Sequence, residues 1–220
     1  MKKKGRQLKI LITAGPTREY LDPVRFISNA SSGTIGYLLA EQAAKRRHKV
    51  VLLSGPTCLR RPAKIKCVTF ESARQLKDEV DRYFNWADCV IAAAAVGDFR
   101  PNKTSRQKLK KNRNNLTLKL VKNPDILKAL GEKNRKKNKA LVGFALETNS
   151  LYRNARLKLK SKYLDFIVAT KLSNKQLPFG DRPINGAIIS RSCIEKFRRM
   201  SKARLARIIL DRVEKICYIL

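Results

Sequence analysis

The chain has 220 residues, 43% of them hydrophobic and 30% charged, and its 50 Lys+Arg against 17 Asp+Glu give a formal net charge of +33. That much apolar material excludes a wholly disordered chain and suffices for the core of one domain. The longest unbroken apolar run, Cys89–Val96, falls far short of the roughly 18 to 20 residues of a bilayer span, and Lys9 interrupts the N-terminal apolar stretch a signal peptide would need, so a cytoplasmic protein with no membrane partner is expected.

Strands and helices alternate along the chain. Leu8–Ala14 is a short apolar run ending at Gly15, which predicts a buried strand. Thr34–Arg47 carries Ile35, Leu38, Leu39 and Ala43 at helical spacing, with basic residues in its last turn. Lys49–Gly55 and Lys64–Phe70 read as the next two strands. Ser72 reads as the cap of a helix reaching Tyr83, and Asp88–Val96 as a buried strand. Asn115–Val121 alternates as a half-exposed strand does. A helix over Asp125–Lys133, a strand over Ala140–Glu147, a basic helix over Leu151–Lys162 and a strand over Asp165–Thr170 follow. Gly186–Ser190 is a short strand and Lys202–Val213 a terminal helix.

This alternation predicts an α/β fold in a single domain, residues 1–220: a mostly parallel sheet flanked by helices. Ligands in such sheets sit beyond the carboxyl ends of the strands, which directs attention to the loops after Ala14, Ser54, Val96, Glu147 and Thr170. The basic segment 100–122 interrupts the alternation. It reads as a flap or dimerisation arm, a loop followed by a strand that leaves the main sheet.

The five cysteines, Cys58, Cys67, Cys89, Cys193 and Cys217, show no CxxC and no regular spacing, as reduced cytosolic thiols would. The one histidine, His48, has no Cys/His cluster around it, so zinc, Ser-His-Asp and Cys-His chemistry would all hang on a single ring. In KRRHKV, between a helix and a strand, it reads as a solvated turn residue. The positive charge is densest in Lys103–Lys122 and Lys133–Lys139, and EKNRKKNK has no aromatic residue among its charges to stack on bases. It reads as solvated surface with at most non-specific, salt-sensitive affinity for nucleic acid. The alternative that this charge motivates is a basic nucleic-acid-binding protein on a degenerate Rossmann-like scaffold.

The first loop, TAGPTREYLDPVRFISNASSGTIG, is not a dinucleotide fingerprint. Gly33 and Gly36 arrive only after a long excursion from Gly15, and no acidic residue ends the second strand to hold a ribose. Ser31, Ser32 and Gly33 instead stand at a helix start, where hydroxyls and backbone N–H groups suit a phosphate; plain N-capping by serine is the other reading. Asn29 is either a donor for a developing oxyanion or a turn asparagine. Asp98, just beyond a buried strand, suits a sugar hydroxyl or Mg²⁺ on phosphates, or caps a turn. Lys108, Lys110 and Lys111 can close over a polyphosphate as point charges or remain surface lysines, and Lys158 and Lys162 lie four apart on one helix face.

ITAGPTREYLDPVRFISNASSG, followed by AAAAVGDFRP, KLKK, KNPDIL, VGFALET and a basic helix leading into LDFIVAT, resembles phosphopantothenoylcysteine synthetase, in particular its bacterial form. The match runs from Leu8 to about Gly186. The resemblance implies a modified Rossmann-like fold, a homodimer, and ligation of 4′-phosphopantothenate to cysteine in coenzyme A biosynthesis, with CTP as co-substrate. The acid first attacks the α-phosphate to give an acyl-cytidylate and pyrophosphate. The amine of cysteine then releases CMP. Asn29 would steady the acyl intermediate and its oxyanion in the second step, and Lys108 would neutralise the transferring phosphate in the first. Ser31, Ser32 and Gly33 match an anion-binding stretch. Gly15, Asp98, Asn123, Pro124, Asp125, Ile126, Phe144, Lys158 and Lys162 match nucleotide-contacting positions, with Mg²⁺ held mainly by the triphosphate. Many bacterial members carry Lys after SSG where this chain has Thr34, so one phosphate contact is weaker or supplied elsewhere. Relatives are often fused to a flavin-dependent decarboxylase, whereas the similar segment here begins almost at Met1, which implies a stand-alone ligase.

Overall fold

A computed structural model describes residues 6–110, 116–136, 138–172 and 182–219. Its elements in chain order are β1 (Lys9–Ala14), β2 (Arg18–Tyr20), β3 (Phe26–Ser28), α1 (Thr34–Lys45), β4 (Lys49–Ser54), β5 (Lys66–Thr69), α2 (Ala73–Phe84), β6 (Cys89–Ala92), β7 (Phe99–Pro101), β8 (Leu120–Lys122), α3 (Ile126–Lys133), β9 (Ala140–Glu147), α4 (Leu151–Ser161), β10 (Phe166–Lys171), β11 (Ile184–Ser190), β12 (Ile194–Met200) and α5 (Lys202–Cys217).

Eight strands form one sheet in the order β12-β11-β10-β9-β6-β1-β4-β5. From β5 to β10 every neighbouring pair is parallel, and β11 and β12 extend the sheet antiparallel. This is the mostly parallel sheet the alternation predicted, in the Rossmann-like form the resemblance implied. Successive residues of a strand point to opposite faces, and β1 supplies both cores. Ile10 and Ile12 pack with Leu39 and Ala43 of α1 and Leu205 and Ile209 of α5. Leu11 packs on the other face with Leu76 and Val80 of α2, Leu130 of α3 and Leu159 of α4. Each of these β1 side chains is fully buried, and truncation to alanine costs ~2–5 kcal/mol.

Local chemistry sets the helix starts. Ser72 accepts from the Gln75 N–H and the Gln75 side chain returns to the Ser72 N–H, a reciprocal cap that opens α2. Ser201 caps α5 one way, its side chain accepting from the Arg204 N–H. The expected strand over Asp88–Val96 stops at Ala92. Beyond it the Ala94 N–H donates to Thr13 Oγ1 at 3.0 Å, the Ala95 N–H to the Gly15 carbonyl at 2.9 Å and the Gly97 N–H to Thr17 Oγ1 at 2.9 Å. The first loop has taken the donors that a longer strand would offer its neighbour.

Several further features depart from the sequence reading. The first loop contains a hairpin, β2 paired antiparallel with β3. An unanticipated edge strand, β12, carries Glu195, Lys196, Arg198 and Arg199, charges that hid its period. His48 is not solvated: its side chain is 4% exposed, Nδ1 accepts from the Leu8 N–H at 3.2 Å, and Nε2 lies 2.9 Å from Glu214 Oε1. Of the strand expected over Asn115–Val121, of which Asn115 lies outside the described residues, only the end is strand: β8 covers Leu120–Lys122, and among the described residues it pairs with β7, itself not anticipated, and leaves the main sheet. Among the described residues no helix is long and apolar enough to cross a membrane.

Candidate active site

A cavity of about 540 Å³ opens beyond the carboxyl ends of β1, β6 and β9, and Thr13, Ala92 and Ala145 reach its wall. The sheet order reverses here: from β1 the chain proceeds to β4 on one side and later returns to β6 on the other. Open α/β sheets bind ligands at such a switch point. The wall brings together Asn29, Ser31, Asp98, Asn123, Pro124, Asp125, Ile126, Phe144, Lys158 and Lys162, residues spread across most of the chain. A smaller cavity of about 180 Å³ shares Ser31, Ala95 and Phe144 with the first and adds Ser32, Gly33, Thr34 and buried Lys202.

α1 begins at this junction. Its N-cap is Gly33 at φ 77°, and no side chain caps it. Ser31 Oγ accepts from the Gly33 N–H at 3.3 Å, while the Ser32 and Thr34 hydroxyls bond one another at 2.8 Å. Capping by serine is therefore not what this stretch does, and the amide end of the helix faces the small cavity. A Cβ at Gly33 would sit 3.1 Å from the Gly15 nitrogen, so the left-handed backbone and the close approach both call for glycine. Gly15 itself, expected to contact nucleotide, packs against Gly33 and Gly55 and lines neither cavity.

Asn29 is held by the loop after β6. Its Nδ2 donates to the carbonyls of Ala95 and Val96, each at 3.1 Å. Both amide N–H bonds are thereby used, and in this arrangement Asn29 does not display the free donor that an oxyanion role calls for. The Asn123 N–H donates to the Asp98 carbonyl at 2.8 Å and Asn123 Nδ2 to the Gly97 carbonyl at 2.8 Å, which staples the start of α3 to the same loop. Arg100 joins this staple through the Lys122 carbonyl and Asn123 Oδ1.

Both wall lysines stand at the end of α4 with carboxylate partners. Lys158 lies 2.7 Å from Glu147 Oε1 and Lys162 2.9 Å from Asp125 Oδ1. Burial works against charge on Glu147, but the hydrogen bonds from Lys158 and Asn154 outweigh it and hold its carboxyl below the usual range. Asp125 also accepts from the Lys128 N–H at the start of α3. Among the described residues no group of three or more His, Cys, Asp or Glu converges on a point, and the carboxylates of the cavity wall are Asp98 and Asp125.

Lys108 and Lys110 are exposed, and neither lines the two cavities; Lys111 lies outside the described residues. The sequence reading missed the parts that shape the loop: the carbonyls of Ala95 and Val96, the hydroxyls of Thr13 and Thr17, and the buried carboxylate of Asp22. Only Asp22 carried a local signal, because Asp-Pro initiates turns.

Residues 5–217 match the family described as the DNA/pantothenate metabolism flavoprotein C-terminal domain. The coenzyme A biosynthesis bifunctional protein CoaBC of Borreliella burgdorferi is 39% identical over 204 residues, which are 92% of this chain and 51% of that protein. Its counterpart in Bacillus subtilis is 44% identical over 172 residues, 78% of this chain and 42% of that one. The chain thus spans about half the length of the curated relatives it matches. A crystal structure of the C-terminal domain of a CoaBC protein aligns at 34% identity with a TM-score of 0.80, covering 98% of both chains. The chain belongs to the family of the DNA/pantothenate metabolism flavoprotein C-terminal domain.

Proposed function

We propose that the chain is a phosphopantothenate–cysteine ligase of coenzyme A biosynthesis that uses CTP. The observation that carries this reading is one cleft, at the sheet's switch point, where Asn29, the uncapped start of α1 and the paired lysines of α4 converge. The full-length likeness to a CoaBC C-terminal domain supports it.

In the first step a carboxylate oxygen of 4′-phosphopantothenate attacks the α-phosphorus of CTP, and the bond to the β-phosphate oxygen breaks to release pyrophosphate. The α1 amide end binds phosphate oxygens, and Lys158 and Lys162 contribute positive field at the other wall. In the second step the amine of cysteine attacks the acyl carbon, its proton passes to solvent, and the bond to the CMP oxygen breaks. The amide of Asn29, fastened to Ala95 and Val96, presents Oδ1 to the incoming amine; donation to the oxyanion requires it to swing off those carbonyls. The wall fits a cation carried in on the triphosphate, with Asp98 the carboxylate that can join its coordination, and Mg²⁺ there would offset phosphate charge.

The reading includes a cytoplasmic homodimer. Val24, Phe26 and Ile27 on the β2–β3 hairpin and Phe99, Leu118 and Leu120 on the β7–β8 ribbon are all exposed large apolar side chains, an arrangement a second copy can cover. Lys108 lies in the connection between β7 and β8 and lines neither of these two cavities of its own chain, so it serves the cavity of the partner. The test is incubation with 4′-phosphopantothenate, cysteine, Mg²⁺ and either CTP or ATP. Pyrophosphate release with CTP is expected, and no release with either nucleotide refutes the ligase.

A further inference from the structure

Asp22 is fully buried in the turn between β2 and β3 and takes five hydrogen bonds. Its Oδ1 accepts the N–H groups of Val24 and Arg25 at 2.8 and 2.9 Å, an ordinary local turn. Its Oδ2 does something a turn does not need. It accepts Nε and Nη2 of Arg25 at 2.9 and 2.5 Å, and the N–H of Leu109, 87 residues away, at 3.1 Å. Arg25 Nη2 also donates to the Leu109 carbonyl at 2.7 Å, so both polar groups of that residue's backbone are gripped. Upstream, the Ser105 N–H donates to the Leu21 carbonyl at 2.9 Å and Thr104 Oγ1 to the Tyr20 carbonyl at 3.0 Å. Leu109 stands between Lys108 and Lys110, both exposed. The other end of the same hairpin, directly after β3, carries Asn29.

We propose that Asp22 is a positioning residue: through Arg25 and Leu109 it fastens the basic segment to the hairpin, so that Lys108 and Asn29 ride on one rigid unit. Burial opposes its charge, but the Arg25 guanidinium and the N–H groups of Leu109, Val24 and Arg25 outweigh that and hold the carboxyl well below the usual carboxylate range, so the clamp stays ionised at neutral pH. A surface loop bearing several lysines would otherwise sample many positions, and a phosphate-neutralising cation works only where it is held in place. This assignment rests on the ligase reading for the role of Lys108, but the clamp itself is judged without it.

The experiment compares wild type, Asp22→Asn and Leu109→Pro, the last removing the N–H that Asp22 receives from the segment. Limited trypsin digestion followed by mass spectrometry reads cleavage after Arg106 and Lys110, the bonds around Leu109 that trypsin can cut in all three proteins, and thermal melting reads the fold. Both variants are expected to be cut there ~10-fold faster, with Leu109→Pro melting as wild type does. With CTP, pyrophosphate release falls ~10-fold or more and the nucleotide KM rises, while amide formation from preformed acyl-cytidylate stays within ~2-fold. Wild-type cleavage rates in Leu109→Pro, or equal loss of both steps in the two variants, overturn the proposal. A wild-type protein that releases no pyrophosphate refutes the ligase and leaves the digestion to judge the clamp.

Discussion

Asn29 Nδ2 donates to the Ala95 carbonyl at 3.1 Å, which ties the residue after the β2–β3 hairpin to the loop after β6. The same nitrogen reaches Val96, so the amide is oriented with its oxygen as the group left to meet substrate. Asn29→Ala removes both the tether and the acceptor. We expect it to form the acyl-cytidylate at near wild-type rate and to slow amide formation by ~10²-fold, measured by rapid quench with labelled phosphopantothenate. Asn29→Asp keeps the shape but sets a carboxylate oxygen against two carbonyls, and should match or exceed that loss. Wild-type amide formation in either variant removes Asn29 from the second step.

If Lys108 serves the partner's cavity, two inactive variants should repair one another. In a mixed dimer of Asn29→Ala and Lys108→Gln, one cavity carries both lesions and the other carries neither. Equal mixing with random re-association makes half of the dimers mixed, and restores about a quarter of wild-type turnover. Action within one chain leaves every cavity with one lesion and restores nothing. The measurement is steady-state formation of the amide product after the two variants are dissociated and re-associated together.

Apolar runs were enough to place the interior strands: LKILITA, KVVLLS, ALVGFALE and DFIVAT each lie in the parallel sheet, because strands buried on both faces must be apolar throughout. The edge was harder. β12 reads IEKFRRM, and only Phe197 of its side chains is buried, so no hydrophobic run announces it. The walls of the cleft were legible as motifs at loop positions, but their hydrogen bonds were not. Asn29 finds its partners 66 and 67 residues onward, and Asp22 finds Leu109 at a separation of 87. His48 was misread for the same reason, since its two partners stand 40 and 166 residues away.

The Lys158–Glu147 pair predicts a specific pH dependence. Folding lowers the Glu147 carboxyl through its hydrogen bonds to Lys158 and Asn154, against the effect of burial. Its contribution is therefore fully present above the ordinary glutamate value of 4.5 and is lost as pH falls through the lower folded value. Lys158→Met removes the main partner. At pH 7 the variant should be less stable by on the order of 1 kcal/mol, since the lysine is 44% exposed and water screens the pair. That gap should close as the pH drops below 4.5. Urea denaturation of both proteins from pH 7 downward measures it, and a gap that stays constant with pH refutes the assignment.

The last prediction separates stability from chemistry. His48 lies at the amino end of β1, the opposite end of that strand from the cleft, where it joins β1 to α5. The Leu8 N–H donates to Nδ1, which places the ring proton on Nε2, directed at Glu214 Oε1. The same carboxylate oxygen accepts from Arg46 at 3.0 Å. His48→Leu fills a similar space but leaves the Leu8 N–H without its partner and takes one donor from Glu214. The expected cost is ~1–3 kcal/mol, the desolvation of buried polar groups rather than the net value of a hydrogen bond. For a chain of this length that lowers the melting temperature by about 2–12 °C. Turnover of the folded variant should equal that of wild type, because no atom of the cleft depends on the ring. Calorimetry and the pyrophosphate assay on one preparation test both halves, and a loss of turnover without a loss of stability would place histidine in the chemistry after all.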